Sequence, residues 1–163
     1  MSDGRHDFDF LAGRWRIANR KLENAAPEAE PVWAEFDSTA ESRPILAGFG
    51  NVDTFHVPDF PGRGEYHGFA LRLFDPHAEL WRIWWASNPG TGDLEPPVLG
   101  RFDGGEGEFE GDDVFAGRDI KVRFTWSQIT PTSARWEQSF SFDGGDSFAL
   151  NWIMSFRRED AGA

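Results

Sequence analysis

Asp53, together with Arg72 or Arg82, could do chemistry in this chain, provided that the fold brings them into one enclosed space. Asp53 shares one face of an alternating stretch with Phe49, Asn51 and Phe55, because side chains two apart along a strand point the same way. If that face points inward, Asn51 and Asp53 are buried polar groups that need partners. Gln138 stands between Trp136 and Phe140 in the same manner. Arg72 follows Gly68 and Ala70 on a face of small residues, and Arg82 lies between Leu80 and Trp84. An inward arginine can clamp a carboxylate or pair with Asp53 as a structural ion pair. The alternative for both arginines is a solvated outer face.

An aromatic set accompanies these groups: Trp81, Trp85, Trp126, Trp136 and Trp152. Indoles around a cavity suit a flat or apolar ligand, with ring N–H groups to orient it; the same rings can also simply fill a core. The first expectation is therefore a binding protein for a small, largely apolar or aromatic molecule. Its site would be made of Asn51, Asp53, Arg72, Trp81, Arg82, Trp85, Trp126, Trp136, Gln138 and Trp152. A second reading is a cofactor-independent enzyme of isomerase, cyclase or hydrolase type. There Asp53, its pKa raised by apolar walls, would act as base near His56, His67 or Glu137. A third is an interaction module that uses exposed aromatics such as Trp33 and Trp84. No catalytic residue is assigned.

Other motifs point elsewhere. The run Glu106-Gly107-Glu108-Phe109-Glu110-Gly111-Asp112-Asp113 resembles calcium-binding glycine-rich repeats, but Phe109 stands where such a repeat needs an aspartate and there is one copy. A solvated hairpin is the better reading. His6, His56, His67 and His77 have no close spacing; a metal triad assembled across strands is the alternative to surface or pocket histidines, and no metal is assigned. There is no Gly-x-Ser-x-Gly elbow, P-loop or dinucleotide fingerprint. The absence of cysteine excludes disulfides and thiolate sites and fits a reducing compartment.

The elements that must position these residues read as strands. Apolar content is 39%, and 16 Phe and 8 Trp stand against 2 Met and 1 Tyr. Such rings have good β-propensity and bury large areas. The 18 Gly and 10 Pro fall largely between short apolar runs, as in strand-and-turn proteins. Strands are expected at 14–22, 32–42, 48–57, 65–74, 80–86, 97–103, 106–112, 118–127, 134–142 and 149–158. Asp75-Pro76, Asp103-Gly104-Gly105, Thr130-Pro131-Thr132-Ser133 and Asp143-Gly144-Gly145-Asp146 mark turns. Between Arg118 and Ser127, Ile120, Val122, Phe124 and Trp126 face one way and polar residues the other, the pattern of an antiparallel sheet. Phe8, Phe10 and Leu11 suit a short helical turn that plugs one end of the core. A mobile acidic loop is expected at 23–31 and a frayed tail at about 159–163.

The chain is expected to form one domain over 1–163. Its formal charge of -12 repels phosphate backbones and anionic membranes, so neither nucleic acid nor membrane is an expected partner. The start, Met1 to Asp7, carries no signal-peptide pattern, and no apolar run approaches a membrane span. A cytoplasmic monomer or homodimer is the expectation. Ten strands joined by short turns leave a closed barrel or a two-sheet sandwich, and closure removes exposed edges.

Gly13-Arg14-Trp15, opening the first strand after a short turn, resembles the Gly-x-Trp start of calycins, the lipocalin and fatty-acid-binding superfamily. The resemblance implies an all-β, closed antiparallel barrel whose Trp packs over the sealed end. It also implies a basic residue late in the last strand lying across the indole, here Arg157 or Arg158. Over nearly the whole chain the sequence is similar to an uncharacterised bacterial group of lipocalin-like proteins. Asp9-Phe10-Leu11-Ala12-Gly13-Arg14-Trp15, Gly50-Asn51-Val52-Asp53, Leu71-Arg72-Leu73-Phe74-Asp75-Pro76 and Ser133-Ala134-Arg135-Trp136-Glu137-Gln138 carry that likeness. It implies a fold and no activity. Nitrobindin-like haem proteins share the architecture and ligate iron through a His near the C-terminus. No His follows His77, so haem held in that manner is not expected, and no cofactor is assigned.

Overall fold

The computed structural model describes residues 3–159. Ten strands run in chain order: β1 Gly13–Leu22, β2 Trp33–Ile45, β3 Gly50–Phe60, β4 Gly64–Asp75, β5 Leu80–Ser87, β6 Val98–Asp103, β7 Glu106–Phe115, β8 Arg118–Ser127, β9 Ser133–Ser141 and β10 Ala149–Arg158. Each pairs antiparallel with its neighbour in sequence, and β1 pairs with β10, which closes the barrel. The sandwich is thereby excluded.

Three strands run further than their alternation predicts. β2 continues to Ile45 because Arg43-Pro44-Ile45 still pairs with Val52, Asn51 and Gly50. β3 passes through Pro58 to Phe60 by a register shift between Val57 and Phe60; a bulge tolerates a proline, which has no N–H to donate. β7 reaches Phe115 although Gly111-Asp112-Asp113 has poor strand propensity. There Lys121 answers Asp112 across the ladder with an ion pair of 2.7 Å.

Two 3₁₀ turns, Gly4–His6 and Asp9–Leu11, precede β1 and seal one end. Phe8 sits at the centre of the seal, edge-on to Trp81 at 5.0 Å and stacked on Phe109 at 5.7 Å. Trp15 is wholly buried, and its Nε1 donates to the Leu11 carbonyl at 2.8 Å. Arg158 is the residue that lies across the indole, 4.2 Å from the ring centre. Its Nη1 and Nη2 donate to the carbonyls of Ala12 and Phe10, each at 2.6 Å, which ties the end of β10 to the plug. Gly13 permits this approach: its φ is +117°, and a Cβ there would lie 2.8 Å from Arg158 Nη1.

The acidic connection between β1 and β2 makes contacts at both of its ends and with β8. Glu23 N–H donates to Val32 O, and Arg118 at the start of β8 grips both Glu28 carboxylate oxygens. Glu159 N–H donates to Arg14 O at 2.9 Å; the remainder of the tail expected to fray lies outside the described residues. No described helix is long and apolar enough to cross a membrane.

Candidate functional site

A cavity of about 300 Å³ occupies the barrel between the plug and the opposite mouth. The inner face of β4 creates it. Tyr66, Gly68, Ala70, Arg72 and Phe74 point inward in alternation, and the two small residues in the middle leave room beside β5. Trp85 lies over that gap: a Cβ on Gly68 would come within 2.3 Å of its ring. The Trp85 Nε1 donates to the Tyr66 hydroxyl at 3.3 Å, which holds the indole across the wall.

The floor is polar. Arg72 and Asp53 form an ion pair of 2.7 Å, with side chains 6% and 11% exposed. The same guanidinium nitrogen donates to Asn51 Oδ1 at 2.9 Å. Below, the Arg72 guanidinium packs over the Phe8 ring at 5.1 Å, and Trp126 lies 6.0 Å to one side. Three buried polar atoms of residues lining the cavity have no hydrogen-bonding partner in the protein: Asp53 Oδ1, Arg72 Nε and Trp126 Nε1. One acceptor and two donors are thus left unsatisfied, a costly arrangement in a low-dielectric interior.

The walls are aromatic. Trp136 and Trp152 meet edge-on at 5.7 Å, and Phe124 packs on Trp136 at 5.0 Å. The Trp152 Nε1 donates to Asn19 Oδ1 at 3.0 Å, and Asn19 Nδ2 in turn donates to Ser38 Oγ at 2.7 Å. Gln138 reaches the cavity and donates to Asn151 Oδ1 at 2.9 Å, beside the register shift of β10. At the mouth, Arg63, Glu95, Asp112 and Asp113 bring charge to the rim. Lys21 stands nearby with its ammonium 5.2 Å from the Trp152 ring. Burial, and then the Arg63 charge, hold its pKa below the usual lysine value.

Of the residues expected to form a site, the fold brings Asp53, Arg72, Trp85, Trp126, Trp136, Gln138 and Trp152 around one cavity. Asn51 is buried behind them as a partner of Arg72. Trp81 and Arg82 are elsewhere. Trp81 belongs to the sealed end, 1% exposed, with its Nε1 donating to Gly4 O at 3.0 Å. Arg82 points outward and pairs with Asp75 at 3.0 Å, since β5 places Trp81, Ile83 and Trp85 on its inner face. The acid–base pairing of Asp53 with a histidine or Glu137 does not form. His56 and His67 lie on the outer wall, because they alternate with Phe55, Val57, Tyr66 and Gly68, and Glu137 pairs with Arg135 at 2.5 Å. Trp33 lies under the Arg20 guanidinium at 4.7 Å, and Trp84 is half-buried on the outside of β5.

Phe55, Ala70, Phe140 and Phe156 also line the cavity, and Asn19 orients Trp152. The same alternation that singles out Asn51 finds Asn19, which follows Trp15 and Ile17 on the inner face of β1.

A scan against protein-family models and a search of curated proteins find no match. Solved structures do match. One is an S-type phycobiliprotein lyase, CPES, from Guillardia theta, at 9% identity over 98% of this chain and 94% of that one, with a TM-score of 0.62. Another is EF1p2_mFAP2b bound to DFHBI, at 11% identity over 97% of this chain and 100% of that one, with a TM-score of 0.49. At 9% identity the first likeness shows the fold alone, a closed antiparallel barrel in agreement with the ten-stranded meander described above.

Proposed function

We propose that this chain binds a small, largely apolar or aromatic molecule in its barrel, one end of which carries both a hydrogen-bond donor and acceptors. The observation that carries this reading is the cavity of about 300 Å³, lined by aromatic rings and by Asp53, Arg72 and Trp126, each of which has a fully buried polar atom without a partner in the protein. A ligand head at this end of the cavity can accept from the arginine and the indole and donate to the carboxylate once those side chains turn toward it. Because Asp53 already neutralises Arg72, a net-neutral polar head, such as an amide or hydroxy-ketone, suits the floor better than a carboxylate. The Asp53 contact to Arg72, with no imidazole beside it, favours a binding role over acid–base turnover.

The test has two arms. Native mass spectrometry of the purified chain, followed by denaturation and organic extraction, looks for a bound small molecule. Separately, tryptophan fluorescence is titrated with 1-anilinonaphthalene-8-sulfonate and with neutral aromatic amides in the parent and in Trp136→Phe and Gln138→Leu variants. Saturable quenching that weakens in the variants is the expected result. A chain that carries no molecule and binds no probe sinks the reading.

A further inference from the structure

We propose that His56, Glu65 and His67 form a site for one divalent transition-metal ion of the zinc, copper or nickel type on the outer wall of the barrel. None of the three faces the cavity, so the site is independent of the ligand-binding reading. His56 and His67 are direct cross-strand partners in the β3–β4 ladder, and Glu65 lies two residues before His67 on the same outer face. One carboxylate oxygen, Glu65 Oε1, is 2.9 Å from His67 Nε2 and 3.3 Å from His56 Nε2. All three ligand atoms lie within 4.8 Å of one another.

That convergence is close to what a metal needs. Ligands about 2.0–2.1 Å from a tetrahedral ion stand about 3.4 Å apart. The imidazole rings are 4.5 Å apart and 18° from parallel, so sharing an ion requires each to turn toward the carboxylate. The side chains are 39% and 54% exposed, with Glu65 at 63%, and have room to do so. Two ladder-fixed backbones remove much of the ordering cost. The backbone of His67 is further held by Asn88, which accepts its N–H at 2.9 Å and donates back to its carbonyl at 3.0 Å.

The donor set selects the ion. Two imidazole nitrogens and one carboxylate suit zinc, copper and nickel, whereas calcium and magnesium demand more oxygen ligands. Three protein ligands leave a fourth position for water or an outside group. The other histidine–carboxylate contact among the described residues, His6 Nδ1 with Asp9 at 2.9 Å, lacks a second imidazole and serves as an internal control.

The experiment uses the full chain without an affinity tag, stripped with a chelator. Zn²⁺ is titrated by calorimetry and Co²⁺ by visible absorption, on the parent and on His56→Gln, Glu65→Gln, His67→Gln and His6→Gln. The parent is expected to take one ion per chain, and His6→Gln to behave likewise. His56→Gln and His67→Gln should each weaken binding by more than the about tenfold typical of losing even an outer-shell partner. Imidazole ¹H–¹⁵N spectra of the parent provide a readout independent of any variant's folding: Zn²⁺ should move the His56 and His67 signals and leave His6 and His77 in place. Absence of one-to-one binding, unchanged affinity in His67→Gln, or shifts at other histidines would overturn the proposal.

Discussion

Asp53 and Arg72 meet across the β3–β4 seam at 2.7 Å, with both side chains almost wholly withdrawn from water and each left with an unsatisfied polar atom. The geometry makes the pair a poor stabiliser on its own, because burial of two charges is offset only when their remaining lone pairs and protons are also satisfied. Removing one partner strands the other. Asp53→Asn and Arg72→Met are each expected to cost about 3–5 kcal/mol in urea denaturation. The double variant should recover most of that loss, because no lone charge remains buried. Single variants near the parent's stability would show that the pair is hydrated and not part of a dry floor.

The barrel was legible at the level of strands, and the reason is local. The Asp-Gly and Gly-Gly turns and the alternation of β8 are encoded within a few residues. So was the inward face of β3, where Asn51, Asp53 and Phe55 alternate with exposed or half-exposed neighbours. Arg82 was not legible, because Leu80-Trp81-Arg82-Ile83-Trp84-Trp85 is apolar on both faces and alternation cannot say which one turns inward. The cavity depends on a non-local match, Gly68 beneath Trp85 across a seam. The His56–Glu65–His67 cluster likewise needs the β3–β4 register, which the spacing of the residues along the chain does not reveal.

Trp15 and Arg158 join the two ends of the described chain at the sealed pole. Trp15→Ala should cost about 3–5 kcal/mol, the range for losing a large buried ring. Arg158→Met removes charge-assisted bonds to Phe10 and Ala12 carbonyls and should cost about 1–3 kcal/mol. Because the guanidinium lies on the indole, the double variant should lose less than the summed single effects, as contacting residues do. Strict additivity in a double-mutant cycle would separate the lid from the ring it covers.

Half-buried Asp75 and exposed Asp143 contribute to the acid limb. Asp75 is held at about 2 by the backbone N–H of Ala78, then Arg82, then the N–H of His77. Asp143 is held at about 2 by the hydroxyl and N–H of Ser147 and the hydroxyl of Ser141. A carboxyl whose folded pKa lies below its ordinary 3.8 binds fewer protons folded than unfolded. Its contribution is therefore complete above that value and is lost as pH falls toward 2. Thermal melts should show the midpoint dropping from about pH 4 to about pH 2. Asp75→Asn and Asp143→Asn should each lower the midpoint at neutral pH and flatten that drop. An unchanged slope in both variants would place the acid sensitivity in other groups.

Gly68 is the position at which packing and the proposed ligand site can be separated. A Cβ there would lie 2.3 Å from Trp85 Cζ2, so Gly68→Ala forces the indole off the wall and breaks its bond to Tyr66. Overpacking of this kind costs about 1–3 kcal/mol, and the displaced ring has the cavity beside it to enter. Gly68→Ala should therefore lower stability and weaken probe binding together. In a Trp85→Leu background no indole lies over Gly68, so the same substitution should cost little stability. Calorimetric melts and probe titrations on the two single variants and the double variant decide this. If Gly68→Ala costs as much with leucine at 85 as with tryptophan, the glycine is required by its own strand and not by the ring that covers it.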